Sequence, residues 1–584
     1  MLEVLNVTRS LPRPSQEALT ILNQISFAVP KGHLMAVIGA PGSGRTSLIR
    51  LLAGLDQASE GVIAFFGKDT ALHPVHPNSI GVVTADDDAL SMVLTVRETL
   101  MSALMLRVSG QTDEARIAKA SHILVGVGLE TMASARVSAL SISQRRRLKL
   151  ALALVSDAPL VLCDEFTDGL DVKSEQELTA LLKFIVTDQP GRMVVHATQS
   201  VANIASYDTV VILHEGYVCF HGPARAVAHY FSIANVEELY PRLAKRPAER
   251  WGDSWSRHRE SYYEAFKLGD LGRSMMEPIT QEDLSTDAPE HDPAIASPKK
   301  SLSEINAAPG PPALPSLIQQ TSHLIRRRWS IFRRTQSEWL EHLILIVALP
   351  LLAMLLVAPN TVYLSALSRG DSTPEFLWPA AYTCAMALFI QTLLILIMGV
   401  RNGAREIAVE RPLLERERRG GLRISAYLLS KLGFLIPLVV AQGFALGLLV
   451  EITGCSLPGN GLARLLLLVL TGIAFSSLCL GISAHSRNSE NAQNHAWKLV
   501  IFNILVCGAL LGMPRLIGGF IQPLATAYYG WSGSVETLKT ASVFVPMTHF
   551  VRTWFATPTG AMLALMLHTF IGLTLALTGL KKAR

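Results

Sequence analysis

The chain has 584 residues, with 52 Lys and Arg against 47 Asp and Glu, a net charge of +5, and 49% hydrophobic residues. That length exceeds a single domain. The cations gather beside long apolar stretches, which fits membrane topology and headgroup contact and leaves nucleic-acid binding unsupported, and the six cysteines show no paired spacing, so neither a disulfide framework nor a metal cluster is expected.

Met1 leads directly into a mixed, strand-like segment, so no N-terminal signal peptide is expected. An apolar strand at 34–38 then runs into Gly39-Ala40-Pro41-Gly42-Ser43-Gly44-Arg45-Thr46, and an apolar, helix-like stretch follows at 47–53. This strand–loop–helix is the context of a P-loop, in which glycines turn backbone N–H groups onto phosphates at a helix N-terminus. The position of the usual lysine holds Arg45. About 115 residues on, the apolar strand Leu160-Val161-Leu162-Cys163 ends in Asp164-Glu165. In P-loop proteins the first such acid holds Mg²⁺ together with the loop hydroxyl, here Thr46. Glu165 is placed to polarise an attacking water.

Between these motifs lies Leu140-Ser141-Ile142-Ser143-Gln144, leading into a helix, and after the acids comes Thr167-Asp168-Gly169-Leu170-Asp171. The order resembles an ATP-binding cassette: P-loop, signature, acid strand, D-loop. The segment 94–100 (LTVRETL), the 410–417 segment (ERPLLERE) and the placing of the cassette before the membrane part are similar to the G subfamily, the white/pleiotropic-drug-resistance type. The resemblance implies an α/β P-loop NTPase (ABC cassette) followed by an all-α six-span transmembrane domain. It further implies a half-transporter that works as a homodimer or heterodimer and uses ATP and Mg²⁺. Gly39 to Thr46 would hold phosphates, Thr46 and Asp164 the metal, and Ser141 and Gln144 the nucleotide bound by the partner.

The departures from the pattern bear on hydrolysis. Arg45 keeps the positive charge but is a planar fork, where lysine is a compact point donor. Ile142 and Ser143 stand where the signature has two glycines, Asp86 where the family has the Q-loop glutamine, and Thr198 where it has the switch histidine. His196 shares a strand face with Thr198 and is read as packing. Thr46, Asp164, Glu165, Ser141, Gln144 and Asp171 are retained. Two readings follow: an exporter with weak ATPase activity, or a nucleotide-binding regulatory or structural subunit that does not hydrolyse.

Residues 1–240 are assigned to the cassette and 241–316 to an extension and flexible linker, rich in Pro, Ser and acids toward its end. Residues 317–339 read as an amphipathic, basic helix at the membrane surface. The membrane domain, 340–584, offers six apolar stretches, at 340–358, 377–399, 432–453, 464–484, 497–513 and 560–580. Arginines crowd 401–431 and Lys581-Lys582-Ala583-Arg584 closes the chain, which places the cassette and both termini in the cytosol of a multi-pass protein of the plasma membrane. Charged residues are nearly absent from the spans, which argues against an ion-driven carrier. Gln391, Gln442, Asn503 and His568 either line a path for a hydrophobic or lipid-like substrate or bond neighbouring helices. Tyr528, Tyr529 and Trp531 suit a membrane interface in contact with lipid.

Overall fold

Continuous apolar runs become buried parallel strands in the N-terminal part of the chain. The computed structural model describes all residues except 14–15, 267–312, 370–372, 453–456, 513–514, 551–552 and 583–584. It comprises two units, residues 1–315 with 419–421, and 316–418 with 422–584.

In the first unit, a four-stranded antiparallel sheet has the order β2-β1-β4-β5, from β1 (Leu2–Arg13), β2 (Gln16–Val29), β4 (Glu60–Phe65) and β5 (Lys68–Asp69). A six-stranded sheet has the order β10-β9-β3-β8-β7-β6, from β3 (Leu34–Gly39), β6 (Ile80–Thr84), β7 (Leu160–Asp164), β8 (Met193–Thr198), β9 (Thr209–His214) and β10 (Tyr217–Gly222). Its strands are parallel except β10. Register brings the chemistry to one edge: Ile38 lies opposite Thr198, Asp164 opposite Ala197, and Thr84 opposite Asp164. Ligands of open α/β sheets bind at such carboxyl ends. Helices α1 (Arg45–Leu52), α2 (Val96–Arg107), α3 (Asp113–Gly126), α4 (Ile142–Leu154) and α5 (Val172–Asp188) complete this body.

The stretch expected to be an extension contains a packed helix. Helix α6 (Ala248–Ala265) buries Trp251, Trp255 and Tyr263. Trp255 packs on Phe220 with ring centroids 5.1 Å apart, and Trp251 on Phe231 at 5.2 Å. The Tyr263 hydroxyl bonds His221 Nδ1 at 2.7 Å. The linker expected up to 316 lies outside the described residues as far as 312.

The second unit is helical. Helix α7 (Leu317–Arg334) ends at Thr335, and α8 (Gln336–Val357) begins at once, so the expected surface helix 317–339 is divided at that residue. The apolar face of α7 packs within the protein: Trp329 and Phe332 lie 5.0 and 5.4 Å from the Phe434 ring. The remaining helices used below are α9 (Pro374–Gly403), α10 (Arg411–Arg419), α11 (Ile424–Ile452), α12 (Gly461–His485), α13 (Ser489–Val506), α14 (Thr526–Glu536) and α15 (Pro558–Lys582).

Among the described residues, five helices are long and apolar enough to cross a membrane: Gln336–Leu356, Pro374–Gly403, Ile424–Leu448, Gly461–His485 and Pro558–Lys582. The stretch expected at 497–513 is not one of them. Its helix, α13, stops at Val506, and its first ten residues include Asn491, Asn494, His495 and Lys498. Too few apolar residues remain for a crossing.

Helices α12 and α15 meet through glycine. A Cβ on Gly572 would lie 2.5 Å from the Ser477 carbonyl carbon and 2.6 Å from Leu478 N, so only hydrogen fits there. The polar span residues bond to neighbouring elements. Gln442 exchanges amide hydrogen bonds with Asn402, at 2.7 and 3.3 Å, and Gln391 donates to the Leu446 carbonyl at 3.4 Å. The Asn503 Oδ1 accepts from Ala527 N at 2.9 Å, and His568 bonds Thr526 Oγ1 and the Pro523 carbonyl, each at 3.1 Å. Trp531 does not present its ring to lipid: it is fully buried and donates to the Ala385 carbonyl at 3.4 Å.

Many cations read as headgroup contacts have partners inside this unit. Arg328 pairs with Glu406 (2.7 Å) and Glu338, Arg327 with Glu417 (3.0 Å), Lys431 with Glu406 (2.9 Å) and Glu410 (2.6 Å), and Arg401 with Glu341 (2.8 Å). Burial opposes the charge on Glu406, yet Lys431 and Arg328 hold its carboxyl well below the usual range.

Candidate nucleotide-binding site

The loop after β3 has the backbone that a phosphate cradle needs. Gly42 and Gly44 have φ of 83° and 99°, in the left-handed region. At Gly44 there is also no room for a side chain, since a Cβ would fall 2.6 Å from Leu22 Cδ2. The loop is held by Ser43 N donating to the Ala40 carbonyl (3.1 Å), and by Gly216 N donating to the Ser43 carbonyl (3.1 Å). Helix α1 starts at Arg45, directly after Gly44, and its second residue, Thr46, reaches the end of β7.

The Thr46 hydroxyl donates to Asp164 Oδ1 at 3.3 Å, which unites the expected metal pair. Burial, and then the adjacent Glu165 carboxylate, push Asp164 up to about 6, against the Thr46 hydroxyl and Arg45. A cation bound here would relieve this repulsion.

Arg45 is 6% exposed. Its Nη2 lies 3.7 Å from Glu165 Oε1 and its Nη1 3.7 Å from Asp168 Oδ2, ion pairs too long for hydrogen bonds. The Arg45 Nη1 and Ser43 Oγ are buried and find no hydrogen-bond partner within the protein. Buried donors of this kind are costly unless satisfied. Two unsatisfied donors in a glycine-shaped loop fit phosphate oxygens, and the Thr46–Asp164 pair fits a hard divalent cation. The residues present therefore suit MgATP.

The residues at departing positions have other partners. Thr198 is buried and donates to Asp168 Oδ1 at 2.9 Å, while accepting from Ser200 N at 3.1 Å. His196 is fully buried, bonds the Tyr207 hydroxyl at 2.8 Å, and is pushed down to about 3 by burial and then by the charge of Arg45. Asp86 folds back, its Oδ1 accepting from Asp88 N at 2.8 Å. Its neighbour Asp87 is clamped to α4 by Arg145, at 3.2 Å, and by Lys149.

Ser141 and Gln144 form a capping box at the start of α4: Gln144 N donates to Ser141 Oγ at 3.2 Å, and Ser141 N to Gln144 Oε1 at 3.0 Å. Ile142, in the first turn, is 57% exposed. Asp171 caps α5, accepting from Ser174 N at 3.0 Å.

Sequence reasoning passed over Asp168 as one letter of the D-loop, although it meets both Arg45 and Thr198. The only available signal was an extra carboxylate between Glu165 and Asp171.

Comparison with known proteins agrees with this arrangement. Residues 22–168 match the family described as ABC transporter, and residues 319–537 the ABC-2 type transporter. The ABC transporter ATP-binding/permease protein Rv1747 of Mycobacterium tuberculosis is 25% identical over 538 residues, 89% of this chain and 56% of the relative. ABC transporter G family member 26 of Arabidopsis thaliana is 32% identical over 238 residues, 39% of this chain and 34% of the relative. The chain thus spans about half the length of the first relative and a third of the second. A solved dimer of the ATP-binding cassette MJ0796, in a post-hydrolysis state bound to ADP and Pi, covers 38% of this chain and 99% of its own at 24% identity and a TM-score of 0.35. The chain thus carries an N-terminal segment of the ABC transporter family, residues 22–168, followed by a segment of the ABC-2 type transporter family, residues 319–537.

Proposed function

We propose that this chain is a G-type half-transporter that dimerises, with itself or a second half-transporter, and exports a hydrophobic or lipid-like compound across the plasma membrane with MgATP. The cassette and both termini face the cytosol in this reading. One observation carries it: the Thr46–Asp164 pair and Glu165 flank a loop whose buried Ser43 Oγ and Arg45 Nη1 make no hydrogen bond within the protein. Residues Gly39 to Thr46 hold the phosphates, and Thr46 and Asp164 hold Mg²⁺. Bound MgATP supplies an electrophilic terminal phosphorus, and Glu165 orients and polarises water against it. Ser141 and Gln144 reach the nucleotide held by the partner. The bonded state of the polar span residues favours an apolar path over an ion-driven one.

Hydrolysis is weak in this reading. Arg45 is divided between two carboxylates, Thr198 is bonded to Asp168, and Ile142 presents a branched side chain where a glycine allows close approach. Each lost transition-state contact costs about 10²–10³ in rate. The same features favour the second reading, a subunit that binds nucleotide and regulates a membrane complex without turnover. Phosphate release from the purified full chain, beside Glu165→Gln, decides between them. Slow release that falls by about 10²-fold in the variant supports the exporter. Equal release from both supports the regulatory subunit.

A further inference from the structure

We infer that Asp168 is the positioning residue for Arg45, and that the end of β8 acts on the phosphate-binding loop through it. The inference rests on the P-loop being a nucleotide site. The guanidinium has two anionic neighbours at the same distance, 3.7 Å. They differ in setting: the Glu165 side chain is 46% exposed and Asp168 13%. Water screens the first pair more, so Asp168 is the stronger electrostatic anchor.

Asp168 is itself anchored. Its Oδ1 accepts from Thr198 Oγ1 at 2.9 Å, Thr198 is 1% exposed, and the Thr198 hydroxyl accepts from Ser200 N at 3.1 Å. A continuous line therefore runs from Ser200 N through Thr198 and Asp168 to Arg45 at the first residue of α1. The position expected to sense nucleotide directly from β8 instead touches a carboxylate that holds the phosphate-loop cation. A fork at position 45 faces Asp168 with one nitrogen and Glu165 with the other, each at 3.7 Å, whereas a lysine would have to share one ammonium between them. Asp168 thus keeps Arg45 from closing onto Glu165 and silencing it. Arg45, Asp168 and Thr198 form a matched set, not three independent departures.

The test uses the full chain in lipid nanodiscs. Calorimetry with MgATP compares the wild type with Asp168→Asn, Arg45→Gln and the double variant. Asparagine keeps an oxygen for Thr198 and removes only the charge. Asp168→Asn is expected to weaken binding about tenfold, and not to weaken it in the Arg45→Gln background, where the anchor has no cation to hold. Thr198→Val should give part of the same loss. Equal losses in both backgrounds, no loss, or tighter binding would overturn the inference; tightening is what a carboxylate that merely repels phosphate would give. A second readout needs no nucleotide. Melting shifts of Arg45→Gln and Asp168→Asn should be non-additive in the double variant, and additive shifts overturn the inference whatever calorimetry gives. Absence of MgATP binding by the wild type refutes the nucleotide reading, and the melting cycle alone then decides on Asp168.

Discussion

The Thr46 hydroxyl lies 3.3 Å from Asp164 Oδ1, which joins the first turn of α1 to the end of β7. Two segments 118 residues apart thus meet at one point. Asp164→Asn should raise the Mg²⁺ concentration needed for ATP binding at least about tenfold, with little change in binding measured in EDTA. Equal losses with and without Mg²⁺ would show that the pair serves folding alone.

Ile142 projects its side chain from the first turn of α4 and is 57% exposed. Replacing Ile142 and Ser143 together by glycine should raise phosphate release by about tenfold or more, since backbone approach from the partner would no longer be blocked. The capping box made by Ser141 and Gln144 keeps α4 in place in that variant. Unchanged turnover would place the limiting defect at Arg45 or Thr198.

His196 is fully buried and pushed down to about 3 from 6.5. The unfolded chain takes up a proton below pH 6.5 and the native cassette does not. Stability is therefore full above pH 6.5 and falls by about 1.4 kcal/mol per pH unit on acidification, until the native group titrates near 3. His221, pushed down to about 4 by burial, adds in the same sense. Chemical denaturation at pH 7 and pH 5 should differ by about 2 kcal/mol for His196 alone. The difference should shrink in His196→Gln; an identical pH response in that variant would refute the assignment.

Gly572 has backbone of α12 within 2.6 Å of where a Cβ would be. Gly572→Val should separate α12 from α15 and lower the stability of the membrane unit by about 1–3 kcal/mol. Melting in detergent and the yield of monodisperse protein read this directly. A neutral result would mean that the two helices part easily.

The cassette was legible because its motifs are local. A P-loop between a strand and a helix, and an apolar strand ending in Asp164-Glu165, keep their meaning in one dimension. The meeting of Thr46 and Asp164 followed from those two motifs. Asp168 did not, because its role depends on two residues that reach it only through the register of β3, β7 and β8. The membrane half was legible in composition but not in detail. Hydropathy detects apolar length, and so overstated the stretch at 497–513 and could not reveal that Trp531 is enclosed by other helices. Nor does a row of arginines disclose its partners. Glu406 and Glu417 meet Arg328 and Arg327 only through the packing of α7 and α10 beside α9 and α11.

The aromatic seam between α6 and β10 decides where this protein can be cut. A soluble fragment ending near 240 would strip Trp251, Trp255 and Tyr263 from Phe220, Phe231 and His221, leaving a sticky hydrophobic face prone to clumping. A fragment of the first unit intended for crystallisation should include the whole of α6 and Phe266.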